Sequence, residues 1–442
     1  MSVTAPPGLL IAAPASGSGK TVLTLALLRH LRARGLRVGS LKVGPDYIDP
    51  AFHAAASGRA CLNLDPWAMR PATLAALAAR AGAGADILIG EGVMGLFDGA
   101  PGGGGSTADL AALTGWPVIL AVDARAMGAS AAAIVRGFAA HRDDVNLAGV
   151  VFNRVAGAGH ARLLRAACEP LGVPVLGCVP RVAALELPAR HLGLVQAGEH
   201  DGLEPFLERA AAIVSQALDM DALLALARPC RLEPPCDEPA PMPALGRRIA
   251  VARDIAFAFD YPFVLDGWRG AGAQVLPFSP LADEAPDAAA DAVYLPGGYP
   301  ELYGARLAAN RCFLDGLRAA AARGAAVYGE CGGYMVLGQA LTDRAGARHP
   351  MAGLLPVETS FAHPRLRLGY RAVEALADGP LGAAGARFRG HEFHYAATLS
   401  TEGPPLFRCR DGAGEALGQA GCWAGTVGGS FIHLIDARPP PR

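Results

Sequence analysis

The sequence predicts two α/β domains, of which the first is built on a doubly wound parallel sheet. The chain has 442 residues, which is too long for one ordinary domain. Short apolar runs alternate with Ala-, Leu- and Arg-rich helical patterns from the start, as is typical of a parallel sheet covered by helices. A Pro-rich stretch from about residue 227 to residue 245 has neither the helical nor the strand periodicity of apolar residues, which indicates a linker. We therefore expect a first domain over residues 1–226, a linker over 227–246 and a second domain over 247–442.

Composition and charge argue against several classes of partner. The net charge is −1 and the chain has no basic run, which argues against a nucleic-acid or membrane-surface partner. The N-terminus lacks the positive region of a signal peptide, and no uncharged apolar run reaches the length of a membrane span. Nine cysteines scattered through a chain of this size suit a reducing compartment, so we expect a cytoplasmic location. Cys230 and Cys236 lie close together, but no second Cys/His pair is near enough in the sequence to complete a metal site.

Each predicted element follows from a local pattern. The first helix of the first domain is predicted at KTVLTLALLRHLRARG, which Gly35 closes. Its strands are predicted at six short apolar runs, in order GLLIAAP, LRVGSLKVGP, DILIGEG, WPVILAVDA, LAGVVFNRV and VPVLGCVP. The second domain starts with strands at RRIAVARD, AQVLPFSP, AVYLPGGYP and AAVYGECGG.

A phosphate-binding loop is predicted at APASGSGKT, which follows the first strand and opens the first helix. Backbone N–H groups at such a turn, together with the helix N-terminus, bind anions. Lys20 is placed to reach the β- and γ-phosphates of a nucleotide, and the Thr21 hydroxyl to bind Mg²⁺. Pro14 stands where the strict pattern has its first glycine, and a plain Gly-rich turn with a surface lysine is the alternative. We expect the loop to bind the phosphates of a nucleotide through Ser16, Gly17, Ser18, Gly19, Lys20 and Thr21.

A magnesium site also needs carboxylates at the same edge of the sheet. Asp46 follows the second predicted strand and Glu91 ends the third. Both should face the crevice outside the carboxyl ends of the strands, where open α/β sheets bind ligands. We therefore expect Thr21, Asp46 and Glu91 to hold the metal, with Asp49 and Asp98 as the next candidates.

Two further features of the first domain are candidates for binding. Asn153 ends the fifth predicted strand, where its amide could contact adenine or cap a turn. The Gly-rich stretch GAPGGGGSTADLAAL leads into a helix, with Ser106 or Thr107 as its N-cap. Alternatively this loop closes over an anionic substrate, which makes Ser106 a substrate-binding candidate.

Cys331 lies in VYGECGGYMVLG, between a predicted strand and a predicted helix. The small residues Gly332 and Gly333 allow a sharp turn that presents the thiol, as in a nucleophile elbow. We expect the helix N-terminus to lower the pKa of the thiol. His433, in VGGSFIHLID after a predicted late strand, is the expected base. The alternative is that Cys331 is a small buried hydrophobe and His433 a core histidine.

A Gly-containing turn in YLPGGYPE follows another predicted strand. Backbone N–H groups of Gly297 and Gly298, with that of Gly332 beside the cysteine, are expected to form an oxyanion hole.

Two polar stretches are not needed for these sites. The histidines of HEFH, His391 and His394, are three residues apart in a predicted strand or loop, so they do not form a zinc helix. Arg365, Arg367 and Arg371 form either a solvated face or a site for a multiply carboxylated ligand.

The motifs of the two halves resemble known families. LPGGYPE and GECGGYM resemble a class I-type glutamine amidotransferase domain. Joined to an N-terminal module with APASGSGKT, KVGPDYIDP and GEGVMGLFDG, they resemble, over essentially the full chain, the cobyrinic acid a,c-diamide synthase family of corrin biosynthesis. Within it, HLGLVQAGEH, VARDIAFAF, SPLADEAPDAAADAVYLPGGYPEL and GQAG…GSFIHLID look like the branch that acts on metal-free hydrogenobyrinic acid. The N-terminal module also resembles dethiobiotin synthetase.

The resemblance implies a glutamine-hydrolysing ligase with two reaction sites. In the second domain Cys331 attacks the glutamine amide, assisted by His433, and ammonia is released. In the first domain MgATP phosphorylates a corrinoid carboxylate, and ammonia displaces the phosphate. The family does this twice, on the c and then on the a acetate side chain.

The resemblance also implies roles for residues of the first domain. Lys20, Thr21, Asp46 and Glu91 would serve ATP and Mg²⁺. Two others, Tyr47 and Asp98, would lie near the corrinoid or its phosphorylated intermediate.

The sequence departs from the wider amidotransferase pattern after the histidine. Many such domains place a Glu two residues after it, but here that position is Ile435, and Asp436 follows. The family named above shares this departure, so a Cys–His pair without the usual third member is expected. The sequence does not reveal which group orients His433.

Several alternatives stay open at this stage. The corrinoid acid could carry cobalt, or the chain could resemble cobyric acid synthase, which amidates other corrin side chains with the same two modules. A P-loop ATPase switch would use the second domain for binding only, and a plain glutaminase would have no use for the phosphate loop. We expect the partners to be corrinoid acid, glutamine and ATP, with homodimerisation left open.

Overall fold

The computed structural model describes residues 6–187, 189–190, 193–194, 196–236 and 240–439. The chain forms two compact units. Unit 1 comprises Met1–Trp67, Leu74–Gly99 and Gly104–Glu238, and unit 2 comprises Ala68–Thr73, Ala100–Gly103 and Pro239–Arg442. Two short segments of the N-terminal half therefore belong to unit 2.

Unit 1 contains a seven-stranded sheet in the order β3-β2-β4-β1-β5-β6-β7, with all neighbours parallel. Its strands are β1 Gly8–Ala12, β2 Val38–Val43, β3 Cys61–Leu64, β4 Ile87–Glu91, β5 Val118–Asp123, β6 Leu147–Val155 and β7 Val175–Pro180. A two-stranded antiparallel pair, β8 Ala189–Arg190 and β9 Gly193–Leu194, follows. The chain adds strands on one side of β1 up to β4 and on the other side from β5, so the predicted doubly wound sheet is confirmed.

The strand β3 was missed by the sequence patterns. It is only four residues long, and Asn63 interrupts its apolar run. The Asn63 amide donates hydrogen bonds to the carbonyl oxygens of Gly44, at 3.0 Å, and Asp46, at 2.6 Å. A run of four residues that includes a polar side chain does not match the pattern of a buried strand. Asn63 can be buried there because another loop supplies its hydrogen-bond partners, and the local sequence does not show that loop.

The described residues of unit 1 form eight α-helices: α1 Lys20–Ala33, α2 Asp49–Ser57, α3 Pro71–Gly82, α4 Thr107–Thr114, α5 Ala131–Ala140, α6 Ala158–Cys168, α7 Leu203–Ala217 and α8 Met220–Ala225. The first turn of α3 belongs to unit 2. Helix α1 begins directly after Gly19 and ends before Gly35, both in the left-handed region. Its leucines are buried, and Leu25 and Leu28 are fully buried. Each such leucine contributes about 1.5–3 kcal/mol of burial free energy.

The Pro-rich stretch contains no helix or named strand within 227–236 and 240–245. At its start Arg228 forms an antiparallel bridge with Gly8, through N–O distances of 2.8 and 3.0 Å. The stretch therefore begins as a backbone contact to the first residue of β1.

Unit 2 is built on a six-stranded sheet in the order β11-β10-β12-β13-β23-β22, parallel except for β22. A four-stranded sheet, β15-β14-β16-β19, and a five-stranded antiparallel sheet, β21-β20-β17-β18-β24, complete it. The strands are β10 Arg248–Ala252, β11 Gln274–Phe278, β12 Ala292–Leu295, β13 Ala326–Glu330, β14 Ala340–Thr342, β15 Arg348–Pro350, β16 Val357–Ser360, β17 Arg367–Ala375, β18 Arg387–His394, β19 Ala397–Thr401, β20 Phe407–Asp411, β21 Ala416–Ala420, β22 Cys422–Ala424, β23 Val427–Ser430 and β24 Ile432–Arg438.

The helices of unit 2 are α9 Pro262–Gly270, α10 Gly304–Ala309, α11 Arg311–Ala322 and α12 Gly332–Leu337. Phe313 and Leu317 of α11 are fully buried and pack with Val293 and Val327 of the central strands. The four strands predicted at the start of this half are present, and His433 lies within a strand, β24. The α/β fold class is confirmed for both halves. Among the described residues no helix has the length and apolarity to cross a membrane.

Candidate active sites

The phosphate loop of unit 1 connects β1 to α1. Gly17 and Gly19 have φ of 78° and 90°, in the region that favours glycine. A Cβ on Gly19 would also clash with the side-chain amide of Asn153. Lys20 opens α1 with its side chain largely buried, and its Nζ donates to the carbonyl oxygen of Met94 at 2.6 Å. Burial lowers the pKa of Lys20 to about 8.

The Thr21 hydroxyl lies among carboxylates. It donates to Oε1 of Glu91 at 2.6 Å and is 3.3 Å from Oδ2 of Asp49. Asp46 instead turns back on its own loop, where Oδ1 accepts the backbone N–H groups of Ile48, at 2.8 Å, and Asp49, at 3.0 Å. The structure therefore brings Glu91 and Asp49 onto Thr21 and leaves Asp46 beside them.

Lys42 is a member of this cluster that the sequence patterns missed. Its Nζ lies 2.6 Å from Oδ2 of Asp49 and 2.8 Å from Oε1 of Glu91. Burial opposes the charge of Lys42, but the nearby carboxylates of Asp49 and Glu91 outweigh burial and raise its pKa. Glu91 also contacts Nε2 of His53, at 2.6 Å. The available signal was a lysine inside the otherwise apolar strand β2, because a charge in such a strand needs a buried partner.

The oxygen atoms around Thr21 suit Mg²⁺, which prefers hard oxygen ligands and keeps water or phosphate in several positions. The hydroxyl of Thr21 and the carboxylates of Glu91 and Asp49 could hold it beside a nucleotide. No group of three or more His, Cys, Asp or Glu side chains in the described part of the chain is arranged to hold a metal alone. This donor set fits a metal that arrives with phosphate rather than an all-protein cage.

The remaining candidates of unit 1 are held in local structure. Asn153 donates from Nδ2 to the carbonyl oxygen of Ser18 at 2.9 Å, so its amide supports the phosphate loop. Ser106 is the N-cap of α4 and forms a capping box with Asp109, and its side chain is buried. Asp98 accepts the Gly95 N–H at 2.8 Å. Tyr47, next to Asp46, is buried.

Cys331 lies at the turn between β13 and α12, in the expected strand, turn and helix. Its φ of 47° and ψ of −105° are strained for a residue with a Cβ. Its backbone N–H donates to the carbonyl oxygen of Ser430 at 2.8 Å, and the residue is only 2% exposed. Strain at an otherwise well-bonded turn is characteristic of functional sites.

Two glycine turns converge on this cysteine. A Cβ on Gly297 would clash with the His433 imidazole and lie 3.2 Å from Cβ of Cys331. A Cβ on Gly332 would lie 3.0 Å from the backbone nitrogen of Gly298. Only glycine therefore permits this approach, and all three glycines surround the Cys331–His433 pair.

The thiol is not activated in the way expected from the sequence. Burial, with a further contribution from the charge of Glu301, raises the pKa of Cys331 well above its usual value. The expected lowering by the helix N-terminus is wrong, because α12 has only six residues and desolvation outweighs the hydrogen bond from Gly332. Burial, with the charges of His391 and His394, lowers the pKa of His433 to about 3. The resting site thus holds a neutral thiol and a neutral imidazole that can accept its proton.

The acidic residue closest in sequence after His433 is used elsewhere. Asp436 is fully buried and binds Nη2 of Arg70 through Oδ1 at 2.7 Å. Thr73 donates to Oδ2 at 2.9 Å. Ile435, at the position of the usual third member, is a buried core residue. The expected Cys–His pair therefore receives no carboxylate from this stretch.

The HEFH stretch lies in strand β18, as expected for a sequence that is not a zinc helix. His391 is the cross-strand neighbour of His433 on β24. Arg371 is committed to Glu392, with Nε 2.6 Å from Oε2. The neighbouring Arg365 and Arg367 are exposed.

Two family models match the chain. The CobQ/CobB/MinD/ParA nucleotide binding domain matches residues 9–195, and the CobB/CobQ-like glutamine amidotransferase domain matches residues 248–440. The phosphate loop falls in the first match and the Cys331–His433 pair in the second. The class of protein is therefore a nucleotide-binding domain joined to a glutamine amidotransferase domain.

Curated relatives define the family more narrowly. Hydrogenobyrinate a,c-diamide synthase of Brucella suis biovar 1 (strain 1330) is 56% identical over 432 residues, covering 97% of this chain and 98% of the relative. Proteins of the same name from Sinorhizobium sp and Rhodobacter capsulatus are 55% identical over 435 residues and 54% over 440. These two alignments cover 97% of this chain and 98% and 99% of the relatives. The chain belongs to the hydrogenobyrinate a,c-diamide synthase family, and the resemblance stated from its motifs is confirmed.

Proposed function

We propose that the chain is a glutamine-hydrolysing ligase that amidates the a and c acetate carboxylates of hydrogenobyrinic acid in cobalamin biosynthesis. The carrying observation is 54–56% identity to synthases of that name over nearly the whole length. The phosphate loop and the Cys331 turn both have geometries suited to this chemistry. ATP is the phosphate donor, and we propose that it binds together with Mg²⁺.

In glutamine hydrolysis Cys331 is the nucleophile and His433 the base. The imidazole accepts the thiol proton as Sγ attacks the amide carbon of glutamine. Backbone N–H groups around Gly297, Gly298 and Gly332 stabilise the oxyanion of the tetrahedral intermediate. The C–N bond then breaks, His433 returns the proton to the leaving ammonia, and water hydrolyses the thioester to glutamate.

In amidation ATP converts a poorly electrophilic carboxylate into an acyl phosphate, and ammonia displaces the phosphate. We propose that Ser16, Gly17, Ser18, Gly19 and Lys20 bind the triphosphate, with Asn153 supporting the loop. Mg²⁺, held by Thr21, Glu91 and Asp46 with Asp49 as an added ligand, would neutralise phosphate charge. Lys42 keeps Glu91 and Asp49 ionised and oriented.

The remaining assignments are part of the same proposal. We propose that Tyr47, Asp98 and Ser106 contact the corrinoid acid. The synthetase function is assigned to residues 1–226 and glutamine hydrolysis to 247–442, with 227–246 as the linker. We propose a cytoplasmic enzyme whose partners are its three small-molecule substrates. Light scattering would test whether the chain forms a homodimer.

The deciding experiment offers hydrogenobyrinic acid and its cobalt form, cobyrinic acid, in parallel. Purified protein, MgATP and glutamine are supplied, and carboxyl-to-amide exchange is followed by mass spectrometry. Two exchanges on the metal-free acid are expected. Exchange on the cobalt form alone would show that the substrate is cobyrinic acid. Amidation of other side chains would favour the cobyric acid synthase alternative. ATP hydrolysis without any exchange would overturn the proposal in favour of an ATPase switch.

A further inference from the structure

We propose that Glu330 is a positioning residue for glutamine hydrolysis, and that it supplies the carboxyl group that the chain lacks after His433. The inference rests on the proposed function, since it assigns a role within the same Cys–His site. Glu330 ends β13 and directly precedes Cys331, and only 4% of the residue is exposed.

Glu330 contacts the strand that carries the histidine through both of its oxygens. Oε1 accepts the backbone N–H of Leu434, the residue after His433, at 3.1 Å. Oε2 lies 4.0 Å from Nδ1 of His433. The carboxyl group therefore fixes the backbone of β24 beside the histidine and faces the imidazole nitrogen. In known triads an acidic side chain at that nitrogen leaves the other ring nitrogen to exchange protons with the nucleophile.

Two tyrosines of neighbouring strands hold Glu330 in place. Tyr294, on the neighbouring strand β12, donates its hydroxyl to Oε2 at 2.8 Å. The ring of Tyr328, on β13, stacks against that of Tyr294 with centroids 6.3 Å apart. Such partners keep an acceptor in one orientation, as supporting residues do in other active sites.

Retaining a carboxyl group here is costly, which argues against a purely structural role. Glu330 is fully enclosed, and burial raises its pKa to about 8 against the hydrogen bonds from Leu434 and Tyr294. A structure that needed only an acceptor for the Leu434 N–H could use a neutral amide without this cost. A carboxyl group that ionises beside the imidazole can instead favour the imidazolium formed when the thiol loses its proton.

The pH dependence of the site involves a defined set of groups. Tyr294 and Tyr328 face Glu330, and His433 faces it from β24. The other charged or titratable neighbours of the Cys–His pair are His391, His394, Glu301 and Glu392. Of these groups, Glu330 has a pKa near 8, whereas those of His391 and His433 are near 3. A rise in glutaminase kcat around pH 8 is therefore expected from Glu330 ionisation.

The test compares Glu330→Gln with the wild-type chain in glutamine hydrolysis from about pH 6 to about pH 10, roughly two units to either side of Glu330 ionisation. Gln keeps an acceptor for Leu434 but cannot ionise. We expect kcat to fall about 10- to 100-fold at the alkaline end, the range found for supporting residues, with KM little changed. We also expect the rise near pH 8 to disappear. Glu330→Asp should restore part of kcat together with a pH-dependent rise.

Tyr294→Phe gives a second, independent measurement. Loss of its hydroxyl removes one hydrogen bond that lowers the pKa of Glu330, so the rise in kcat should move to higher pH. Glu374→Gln, on the five-stranded sheet and paired with Arg387, is the matched control and should keep the wild-type profile.

Three outcomes separate this inference from the proposed function. A Glu330→Gln profile that matches wild type within twofold at every pH would overturn the role of Glu330. An unshifted profile in Tyr294→Phe would do the same even if the Gln variant failed to fold. Absence of corrinoid amidation by the wild-type chain, with normal glutamine hydrolysis, would instead count against the proposed substrate and leave the Glu330 test intact.

Discussion

At the scale of single residues, the proposed site of glutamine hydrolysis consists of buried, uncharged groups. Cys331 and His433 are both almost fully buried, and burial is the largest cause of the pKa shift of each. Neither group carries a charge at rest near neutral pH. Activation therefore requires proton transfer within the pair, and the groups around it must stabilise the charges that appear.

The burial of Glu330 has a consequence for stability. The folded chain keeps the Glu330 proton up to about pH 8, whereas the unfolded chain releases it near pH 4.5. The native state thus binds more protons between these values, so the stability of the wild type falls as pH rises through this window. The Gln side chain of Glu330→Gln does not titrate. The free energy of unfolding of this variant, relative to that of the wild type, should therefore increase by at most about 1.4 kcal/mol for each unit that the pH rises. Urea unfolding of both proteins at several pH values across this window measures the difference. Parallel plots of the free energy of unfolding against pH would contradict the prediction.

Gly297 should tolerate no side chain. In Gly297→Ala the added methyl group would clash with His433 and press on Cys331, so glutamine hydrolysis should fall by about 100-fold or more. Steady-state glutaminase assays provide the measurement. Gly270→Ala is the control, because nothing lies within 4 Å of a Cβ at that position of α9. Equal activity of the two variants would show that Gly297 does not line the reaction site.

At the scale of elements, β24 is held at two points along its length. Glu330 binds the backbone beside His433, and the segment Ala68–Thr73 binds Asp436 further along. Arg70 contributes both its side chain and its backbone N–H, the latter 2.6 Å from Oδ2 of Asp436. The strand that carries the proposed base is therefore fixed at two points just after the histidine.

Arg70→Ala should destabilise unit 2. It leaves the fully buried Asp436 carboxylate with fewer donors, and breaking such a pair costs about 3–5 kcal/mol when both partners are buried. Because a quarter of the Arg70 side chain is exposed and Thr73 still donates, we expect about 2–3 kcal/mol. Urea titration, with the transitions of the two units fitted separately, would measure it.

The matched control for Arg70 is Arg37→Ala. Arg37 makes a comparable 2.6 Å ion pair with Asp86, but both side chains are substantially exposed. Such surface pairs contribute at most about 1 kcal/mol. If the two variants lost the same stability, burial of Asp436 would not be the source of the effect.

At the scale of the whole molecule, one chain combines two chemistries in separate compact units. Cys331→Ala should abolish amidation from glutamine and retain amidation from free ammonia, because the phosphate loop lies in unit 1. Mass spectrometry of the corrinoid product, with glutamine or ammonium salt as the nitrogen source, tests this. Loss of both activities in a folded variant would show that the two functions are not separable.

Lys20→Ala should block amidation from either nitrogen source, since no acyl phosphate would form without the buried cation of the phosphate loop. Glutamine hydrolysis measured alone should persist in this variant. The same product assay applies, with glutamate release as the control. Retained amidation would exclude the phosphate-binding role of this loop.

The sequence by itself determined the features that are local. The phosphate loop, the strand and helix around Cys331, and the glycine turn at Gly297 each depend on residues within a few positions of one another. The alternation of strand and helix patterns determined the parallel sheet of unit 1 in the same way. Because these signals depend on neighbouring residues alone, they are visible in the printed sequence together with the family resemblance.

Only the tertiary structure decided which charges are neighbours and how far each is removed from water. Strand pairings and loops bring together residues that are far apart in the chain. Three such pairs are Lys42 with Glu91, Glu330 with His433, and Asp436 with Arg70. The antiparallel sheets of unit 2 and the short strand β3 also depend on such distant partners. The pKa of the Cys331 thiol was misjudged for the same reason, because desolvation is a property of everything packed around a group rather than of its local sequence.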